Sequence, residues 1–186
     1  MKVGVTMLET LAYIANSINE KNITWGVGGS LLLYFHQLVK DPNDIDLLVS
    51  ENDALTLIKT LNELGSSREA YSTYPFCTKY FSTLIVNTTE IDVMGGFCIQ
   101  HPVGKYKLEF DEKSVVDYIT INKSKVPLTA LEDWFVLYQL MPNKQEKVAL
   151  LENYFSKNGI KHPYFFEKAL QQPLPVGVRE KIENLM

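Results

Sequence analysis

The segment WGVGGSLLLYFHQLVKDPNDIDLLVS, residues 25–50, decides the fold because it joins a glycine-rich turn to two closely spaced aspartates. The apolar residues up to Val27 predict a short buried strand, and the residues from Gly28 onward predict a turn that opens into a helix. A second strand is predicted over residues 44–49, where polar and apolar residues alternate before the sequence becomes fully apolar. The segment is therefore either a phosphate and cation site or a tight turn followed by an acidic strand.

The two aspartates lie on one face of the predicted second strand. Side chains at positions i and i+2 of a strand point the same way, so Asp44 and Asp46 project together while Ile45 faces the core. Two neighbouring carboxylates repel each other unless a cation compensates their charge. Mg2+ prefers oxygen ligands and commonly binds one or two carboxylates together with substrate phosphates. The alternative is that both acids belong to a solvated strand edge that follows a Pro-Asn turn.

A second acidic pair repeats this spacing further along the chain. The sequence TEIDVMGG, residues 89–96, places Glu90 and Asp92 two positions apart with apolar Ile91 between them. If this strand lies beside the first, up to four carboxylates converge on one patch. Such crowding costs stability, and metal binding is the usual reason for a protein to tolerate it. The two pairs together predict a shared metal site, and the alternative is two unrelated, half-exposed strands.

The glycines stand where the first predicted strand meets the helix. Backbone amides at Gly28 and Gly29 could contact a phosphate there, and Ser30 could donate its hydroxyl to the same group or cap the helix. The turn lacks the Gly-Lys-Ser/Thr of a P-loop, and Leu31 occupies the position where a dinucleotide-binding fingerprint needs its third glycine. A Rossmann-type redox protein is therefore disfavoured. Lys40, just before the aspartate turn, is either a phosphate contact or a surface lysine.

The rest of the sequence predicts an α+β domain followed by helices. An amphipathic helix is predicted near the N-terminus, and the runs FCTKYFSTLIV, EIDVMGGFCI, YKLEF and VVDYITI are strand-like because they are rich in β-branched and aromatic residues. From about Val126 helical patterns take over, and TALED predicts a capping box with Thr129 as N-cap and Glu132 three residues later. We therefore predict an α+β domain at residues 1–125 and a helical C-terminal segment at residues 126–186.

Composition and charge narrow the range of partners and compartments. The 186 residues are 46% hydrophobic and 22% charged, which is ordinary for a globular protein. A net charge of -4 without a dense Lys/Arg run disfavours an extended nucleic-acid partner. No apolar run approaches the ~20 residues of a membrane span. Cys77 and Cys98 have neither metal-ligand nor redox spacing, so we expect two free, buried thiols and a cytoplasmic protein.

Taken together, the Gly-Gly-Ser turn, a spacer of thirteen residues, Asp-Ile-Asp and a later isolated aspartate resemble the nucleotidyltransferase superfamily that includes DNA polymerase beta. Its pattern is an apolar residue and Gly-Gly/Ser, a spacer of about this length, Asp-x-Asp, and a third carboxylate downstream. The chain is most similar to small bacterial members, which include antibiotic-modifying and toxin-type enzymes. The motifs cover residues 23–93, and VPLTALEDWFVLYQLMPNKQEKV, residues 126–148, is a weaker echo. The resemblance implies a mixed sheet flanked by helices.

The resemblance also implies which residues contact the nucleotide. By position, Gly28, Gly29 and Ser30 hold the triphosphate of an NTP, and Lys40 adds a phosphate contact. Lys144 lies in the basic turn of the C-terminal echo. Bacterial members often have Arg-x-Lys-Asp at that turn, whereas this chain has Pro-Asn-Lys-Gln at residues 142–145. Without the arginine and the acid, nucleotide contacts from the C-terminal segment are not supported.

For the metal, the resemblance implies that Asp44 and Asp46 bind Mg2+, and that two ions act together. Asp92 then either completes the metal site or takes the proton from the acceptor hydroxyl. The implied reaction moves a nucleoside monophosphate from an NTP to a small molecule (an antibiotic among the candidates), a protein or a tRNA. The alternative is an inactive nucleotide-binding or protein-interaction module with the same fold. Retention of all three aspartates favours an enzyme, but no motif in residues 126–186 names the acceptor.

Overall fold

The computed structural model describes residues 5–186, which form seven α-helices, one short 3-10 helix and nine strands. The helices are α1 (Val5–Asn19), α2 (Gly29–Phe35), α3 (Ala54–Asn62), α4 (Leu131–Leu140), α5 (Gln145–Asn158), α6 (Pro163–Leu170) and α7 (Val176–Leu185), and the 3-10 helix is Glu112–Ser114. The strands are β1 (Trp25–Val27), β2 (Ile45–Val49), β3 (Ser66–Arg68), β4 (Tyr80–Val86), β5 (Thr89–Gly95), β6 (Cys98–His101), β7 (Gly104–Lys107), β8 (Val115–Ile121) and β9 (Ser124–Thr129).

Seven of these strands form one mixed sheet in the order β3-β4-β5-β2-β1-β9-β8. β2 is parallel to β5 and antiparallel to β1, and β1 is parallel to β9. β4 and β5 form one antiparallel hairpin, and β8 and β9 form another. The predicted α+β class is confirmed, and β2 lies at the centre of the sheet, as its apolar sequence indicated.

Two-residue turns fix the register of both hairpins. Residues 87 and 88 have φ angles of 48° and 69°, and residues 122 and 123 have φ angles of 49° and 71°. Positive φ at both central residues is what a type I′ turn requires, and the twist of that turn matches the twist of the flanking strands. The first turn places Thr83 opposite Asp92. A polar side chain of β4 is thereby set beside an acid of β5.

The chain divides into two compact units. The sheet unit comprises residues 5–72, 78–97 and 109–129, and the helical unit comprises Thr73–Cys77, Cys98–Leu108 and Ala130–Met186. The boundary predicted between residues 125 and 126 falls inside β9, and that two-part division stays a prediction. Across residues 5–186, no helix combines the length and the apolar character that a membrane span needs.

The core of the sheet unit buries one face of β2 and β5. Ile45 and Ile91 are cross-strand partners and are fully buried. α1 and α3 both contact β5, and α1 buries Leu11, Ile14 and Ile18 on one side of the helix. Because successive strand residues point to opposite faces, this packing leaves the acidic positions of β2 and β5 on the other face of the sheet.

The helical unit has its own apolar core. Phe135, Phe155 and Phe166 come from α4, α5 and α6, and their ring centroids are 5.7 to 5.8 Å apart. All three side chains are buried, and the tilted and edge-on ring contacts are the arrangement that aromatic quadrupoles favour. The helices predicted after residue 126 are therefore present and packed.

The expectation of two free cysteines is wrong, because Cys77 and Cys98 form a disulfide. The amide of Cys77 donates to the carbonyl of Cys98 at 2.8 Å, and a bridge between Phe76 and Ile99 aligns the two segments. Their Cα atoms are 4.9 Å apart, which is within the range that a disulfide needs. The expected cytoplasmic location drew on free thiols, so this pair removes that support.

The predicted capping box of α4 is also wrong. The N-cap is Ala130, whose side chain makes no capping hydrogen bond. The Thr129 hydroxyl instead donates to the carbonyl of Val27 at 2.9 Å and ties β9 to β1. The Glu132 carboxylate accepts from the amides of Lys161 and His162, at 3.1 and 2.9 Å. Both side chains are buried, and their hydrogen-bond partners are distant in sequence. A local sequence motif does not predict such partners.

Candidate functional site

Four carboxylates lie on one face of the sheet where β2 and β5 run side by side. Asp46 and Asp92 are cross-strand partners of this parallel pair, so their side chains share a face. Asp44, Glu90 and Asp92 each offer a ligand oxygen, and these oxygens lie within 4.8 Å of one another. The second acidic strand does lie beside the first, which was the condition for the carboxylates to converge. Glu90 belongs to this three-acid group, whereas Asp46 does not.

Asp46 lies beside this three-acid group and contacts the glycine turn. The backbone amide of Gly28 donates to the carbonyl of Asp46 at 2.9 Å. Gly29 has a φ of 59°, and a Cβ atom built there would lie 1.7 Å from Oδ2 of Asp46. A side chain at position 29 would therefore displace the carboxylate. The sequence keeps glycine there because Asp46 needs the space and because the backbone needs a positive φ.

The other predicted nucleotide contacts surround this turn. Gly28 is the N-cap of α2, so the alternative of Ser30 as the helix cap is wrong. Ser30 is buried, and its hydroxyl oxygen accepts from the amide of Asn43 at 3.4 Å, which ties the start of α2 to the residue before Asp44. Lys40 is exposed in the segment between α2 and β2. The phosphate-binding roles of these residues stay predictions.

Burial and neighbouring charges act on Asp92. Removal from water raises the pKa of its carboxyl group, and the negative charges of Asp44 and Glu90 raise that pKa further. A hydrogen bond opposes this shift, because the Thr83 hydroxyl donates to Oδ1 of Asp92 at 2.5 Å and lowers the pKa. The ionised form of Asp92 is thus costly without a cation.

Thr83 and Arg68 lie beside the acids, and neither was identified from the sequence. Thr83 could have been found from the two-residue turn at residues 87–88, but Asn-Thr is a weaker hairpin signal than Asn-Gly. Arg68 forms an ion pair with Glu90, with Nη1 and Oε2 3.1 Å apart. It belongs to β3, a strand of three exposed residues whose sequence carries no strand pattern. Lys144 lies at the start of α5 in the helical unit.

The donor set fits a hard divalent cation. Asp44, Glu90 and Asp92 are neither fully buried nor fully exposed, and they offer oxygen atoms alone. Oxygen ligands are what Mg2+ and Ca2+ prefer, whereas zinc sites usually include nitrogen or sulfur. The cost of ionising Asp92 among other acids would be relieved by such a cation. The group could therefore hold a hard divalent cation, with Asp46 beside it.

Comparisons with known proteins identify the fold through structure and not through sequence. No family model matches the chain, and no curated protein matches it. A Thermotoga maritima protein, TM1012, provisionally assigned as a nucleotidyltransferase, superposes with a TM-score of 0.62 at 22% identity, covering 81% of this chain and 93% of its own.

The antibiotic-resistance factor ANT(2'')-Ia has the same fold over a similar extent. Its solution structure gives a TM-score of 0.58 at 16% identity and covers 100% of this chain and 90% of its own. Its crystal structure with adenylyl-2''-tobramycin gives 0.57 at 15% identity, with coverages of 97% and 95%. At these identities the likeness shows the fold. The predicted nucleotidyltransferase-type fold is therefore confirmed.

Proposed function

We propose that this protein transfers a nucleoside monophosphate from an NTP to a hydroxyl acceptor in a Mg2+-dependent reaction. The observation that carries the proposal is the meeting of the β2 and β5 carboxylates on one face, with Asp46 against Gly29. The shared fold supports the same reaction class, because ANT(2'')-Ia has been solved with an adenylylated antibiotic. Small molecules are therefore the first class of acceptor to test, followed by proteins and tRNA.

In this proposal Asp44, Asp46 and Asp92 hold the metal ions. When bound, Mg2+ supplies positive charge that neutralises the phosphates and lowers the pKa of the attacking hydroxyl. The backbone of Asp46 is held by strand pairing with β5 and by the hydrogen bond from the amide of Gly28, and its carboxylate lies against Gly29. A carboxylate fixed in this way loses little freedom when it binds a ligand, which favours pre-organisation of the site.

The remaining residues position the reactants and handle the proton. Gly28, Gly29 and Ser30 hold the triphosphate, with Lys40 as a further contact. The acceptor oxygen forms a bond to the α-phosphorus, the bond from that phosphorus to the bridging oxygen breaks, and pyrophosphate leaves. Asp92 accepts the hydroxyl proton. Such reactions depend mainly on orientation and on stabilising charge, which is the kind of help that this arrangement can give.

The test is to find where a labelled nucleotide goes. Purified protein is incubated with Mg2+, each of the four NTPs labelled at the α-phosphate, and pools of hydroxyl compounds, proteins and tRNA. Label should move to one pool with release of pyrophosphate, and Asp46→Asn should abolish the transfer. Asp117→Asn is the matched control, because Asp117 is an exposed aspartate at the opposite edge of the same sheet.

The rival function gives a different result in the same experiment. A non-catalytic nucleotide-binding module would bind an NTP in a Mg2+-dependent manner and release no pyrophosphate with any pool. If the protein bound no NTP at all in the presence of Mg2+, both the transfer reaction and the nucleotide-binding module would be wrong, and the protein-interaction module would remain.

A further inference from the structure

We propose that Arg68 lies in the acceptor site and that the acceptor carries an oxyanion, a phosphate or a carboxylate, close to its reacting hydroxyl. This inference rests on the proposed function and goes further, because it names a chemical class of acceptor. It depends on three observations: the position of Arg68 in the sheet, its contact with the acidic group, and the side of that group on which it lies.

Arg68 occupies the same row of the sheet as the central acids. It is the cross-strand partner of Thr83, Thr83 is the partner of Asp92, and Asp92 is the partner of Asp46. Cross-strand partners share a face of the sheet, so all four side chains project to the same side. Neighbouring strands lie about 4.8 Å apart, which puts the Cα atoms of Arg68 and Asp92 roughly 10 Å apart. An extended arginine side chain covers most of that distance.

The guanidinium of Arg68 reaches the edge of the acidic group. Its Nη1 lies 3.1 Å from Oε2 of Glu90, and the two side chains are 68% and 40% exposed. An ion pair so open to water adds little to the stability of the fold. Arginine also carries five N–H donors. The contact with Glu90 involves Nη1 only. A role in holding the sheet together therefore does not explain the arginine, and donors remain to face solvent.

The order of the strands places Arg68 opposite the glycine turn. Gly29 lies on the β1–β2 side of the acids, and Arg68 lies beyond them on the β4–β3 side. In phosphoryl and nucleotidyl transfer the attacking and leaving oxygens are roughly in line across the phosphorus. If the glycine turn holds the departing pyrophosphate, the acceptor approaches from the other side of the acids. That is the side of Arg68.

A cationic group on this side has a consequence for acceptor choice. Four carboxylates repel an anionic molecule, and an arginine beside them offsets that repulsion at one point. The planar guanidinium donates two parallel hydrogen bonds to a phosphate or a carboxylate, which gives both affinity and a fixed orientation. An uncharged acceptor gains nothing comparable. The position of Arg68 therefore favours an acceptor whose hydroxyl lies near an oxyanion.

The experiment compares three small probes with the same kind of hydroxyl groups. Glycerol 3-phosphate, D-glycerate and glycerol are each titrated calorimetrically into protein loaded with Mg2+ and a non-hydrolysable ATP analogue. We expect the two anionic probes to bind and glycerol not to bind. Arg68→Gln should weaken the anionic probes by roughly tenfold to a hundredfold, because a hydrogen-bonded charge is lost. Arg68→Lys should retain part of the affinity, since lysine keeps the positive charge but cannot donate two parallel hydrogen bonds.

The matched control is Lys79→Gln, which removes a lysine that is paired with Glu51 in the same unit and lies outside the acidic group. It should bind the probes like the wild type. The acceptor assignment is overturned if the loaded wild type binds none of the probes, binds glycerol as well as glycerol 3-phosphate, or loses nothing in Arg68→Gln. If the wild type cannot be loaded with Mg2+ and the analogue, the proposed function itself is contradicted. Loading is therefore measured first, and thermal unfolding checks that each variant is folded.

Discussion

The two acidic pairs of this protein look alike in sequence and differ in their surroundings. Asp44, which directly precedes β2, and Asp46 are called the β2 pair, and Glu90 and Asp92 are called the β5 pair. The two pairs have the same spacing, and each has an isoleucine between its acids. In the fold, Asp46 is set against the glycine turn, whereas Asp44 turns toward the β5 pair and joins it in one group. The β5 pair has partners on the far side as well, from Thr83 and from the ion pair with Arg68.

The difference follows from the neighbours of each strand. β2 lies beside β1, and β1 ends in the glycine turn, so the Asp46 side chain lies against the backbone of that turn. β5 has β4 beside it, so an acid of β5 meets side chains. Equal spacing therefore does not give equal roles. In the proposed reaction, Asp46 would act on the nucleotide side and the β5 pair on the acceptor side.

The largest effect should come from the β2 pair. Asp46→Asn should abolish Mg2+-dependent NTP binding, because it removes the charge from a carboxylate that lies between the glycine turn and Asp92. Isothermal titration of Mg2+ with a non-hydrolysable ATP analogue measures this. Asp117→Asn should titrate like the wild type. Unchanged affinity in Asp46→Asn would mean that the contact with Gly29 is structural and that the comparison between the pairs fails.

The β5 pair should affect turnover more than binding. Asp92→Asn should keep much of the triphosphate affinity and lose kcat by about 10²-fold or more, because a proton acceptor acts mainly in the transition state. Glu90 lies in the same acidic group and could partly substitute, so the double variant with Glu90→Gln should be slower still. Single-turnover kinetics with an identified acceptor separate the two effects. Wild-type turnover in Asp92→Asn would make Asp92 a structural residue.

The glycine turn offers a test that depends on folding alone. Gly29→Ala puts a side chain at a residue with positive φ and against the Asp46 carboxylate. We expect the strained backbone to lower the free energy of unfolding by roughly 1–3 kcal/mol, and Asp46 to be displaced in addition. The control is Gly29→Ala in an Asp46→Ala background, which keeps the positive φ and removes the carboxylate that the new Cβ would meet. Chemical denaturation gives both values. Equal losses would show that contact with Asp46 adds nothing.

The same carboxylates should affect the stability of the metal-free protein. The pKa of Asp92 is raised in the fold, so its protonated form favours the native state, and that contribution is lost as the pH rises from the unfolded pKa of about 3.9 through the native pKa. Asp92→Asn escapes this loss. Its thermal midpoint in chelator should therefore exceed that of the wild type near neutral pH, and the two should converge below about pH 4. A wild type that is the more stable at neutral pH would contradict the assigned cause.

Much of the site could be predicted because its signals are local. The strand, turn, helix and strand of residues 23–49 follow from apolar patterning and glycine, and the common face of Asp44 and Asp46 follows from strand geometry alone. The pairing of β2 with β5 could be stated from the sequence only as a condition, because two strands of one sheet need not be neighbours. Local patterning and the resemblance together therefore anticipated the fold class, and the site roles of Asp44, Asp46 and Asp92 stay predictions.

What could not be predicted depends on contacts between distant segments. β3 consists of three exposed polar residues, so its sequence shows no strand pattern that would predict Arg68 beside the acids. Cys77 and Cys98 are joined because a loop is paired with β6, and their spacing of 21 residues matches no motif. Glu132 stands at the position of a capping residue in the sequence, but its carboxylate accepts hydrogen bonds from the backbone amides of residues 161 and 162. In each case tertiary partners override the local pattern.

The smallest effect is expected at Thr83, and it tests whether the support from β4 matters. Its hydroxyl donates to Oδ1 of Asp92 at 2.5 Å and lowers the pKa of that carboxyl group. Thr83→Val removes the donor at nearly constant volume, so the pKa of Asp92 should rise further. A cation needs the ionised carboxylate, so the affinity of the metal-free protein for Mn2+ should fall by about threefold to tenfold at mildly acidic pH. The deficit should shrink as the pH rises past the new pKa, because Asp92 is then ionised in both proteins. Thr83→Ser keeps the hydroxyl and should follow the wild type across the whole range. If Thr83→Val binds Mn2+ like the wild type at every pH, the hydrogen bond is incidental, and the β5 pair is no better supported than the β2 pair.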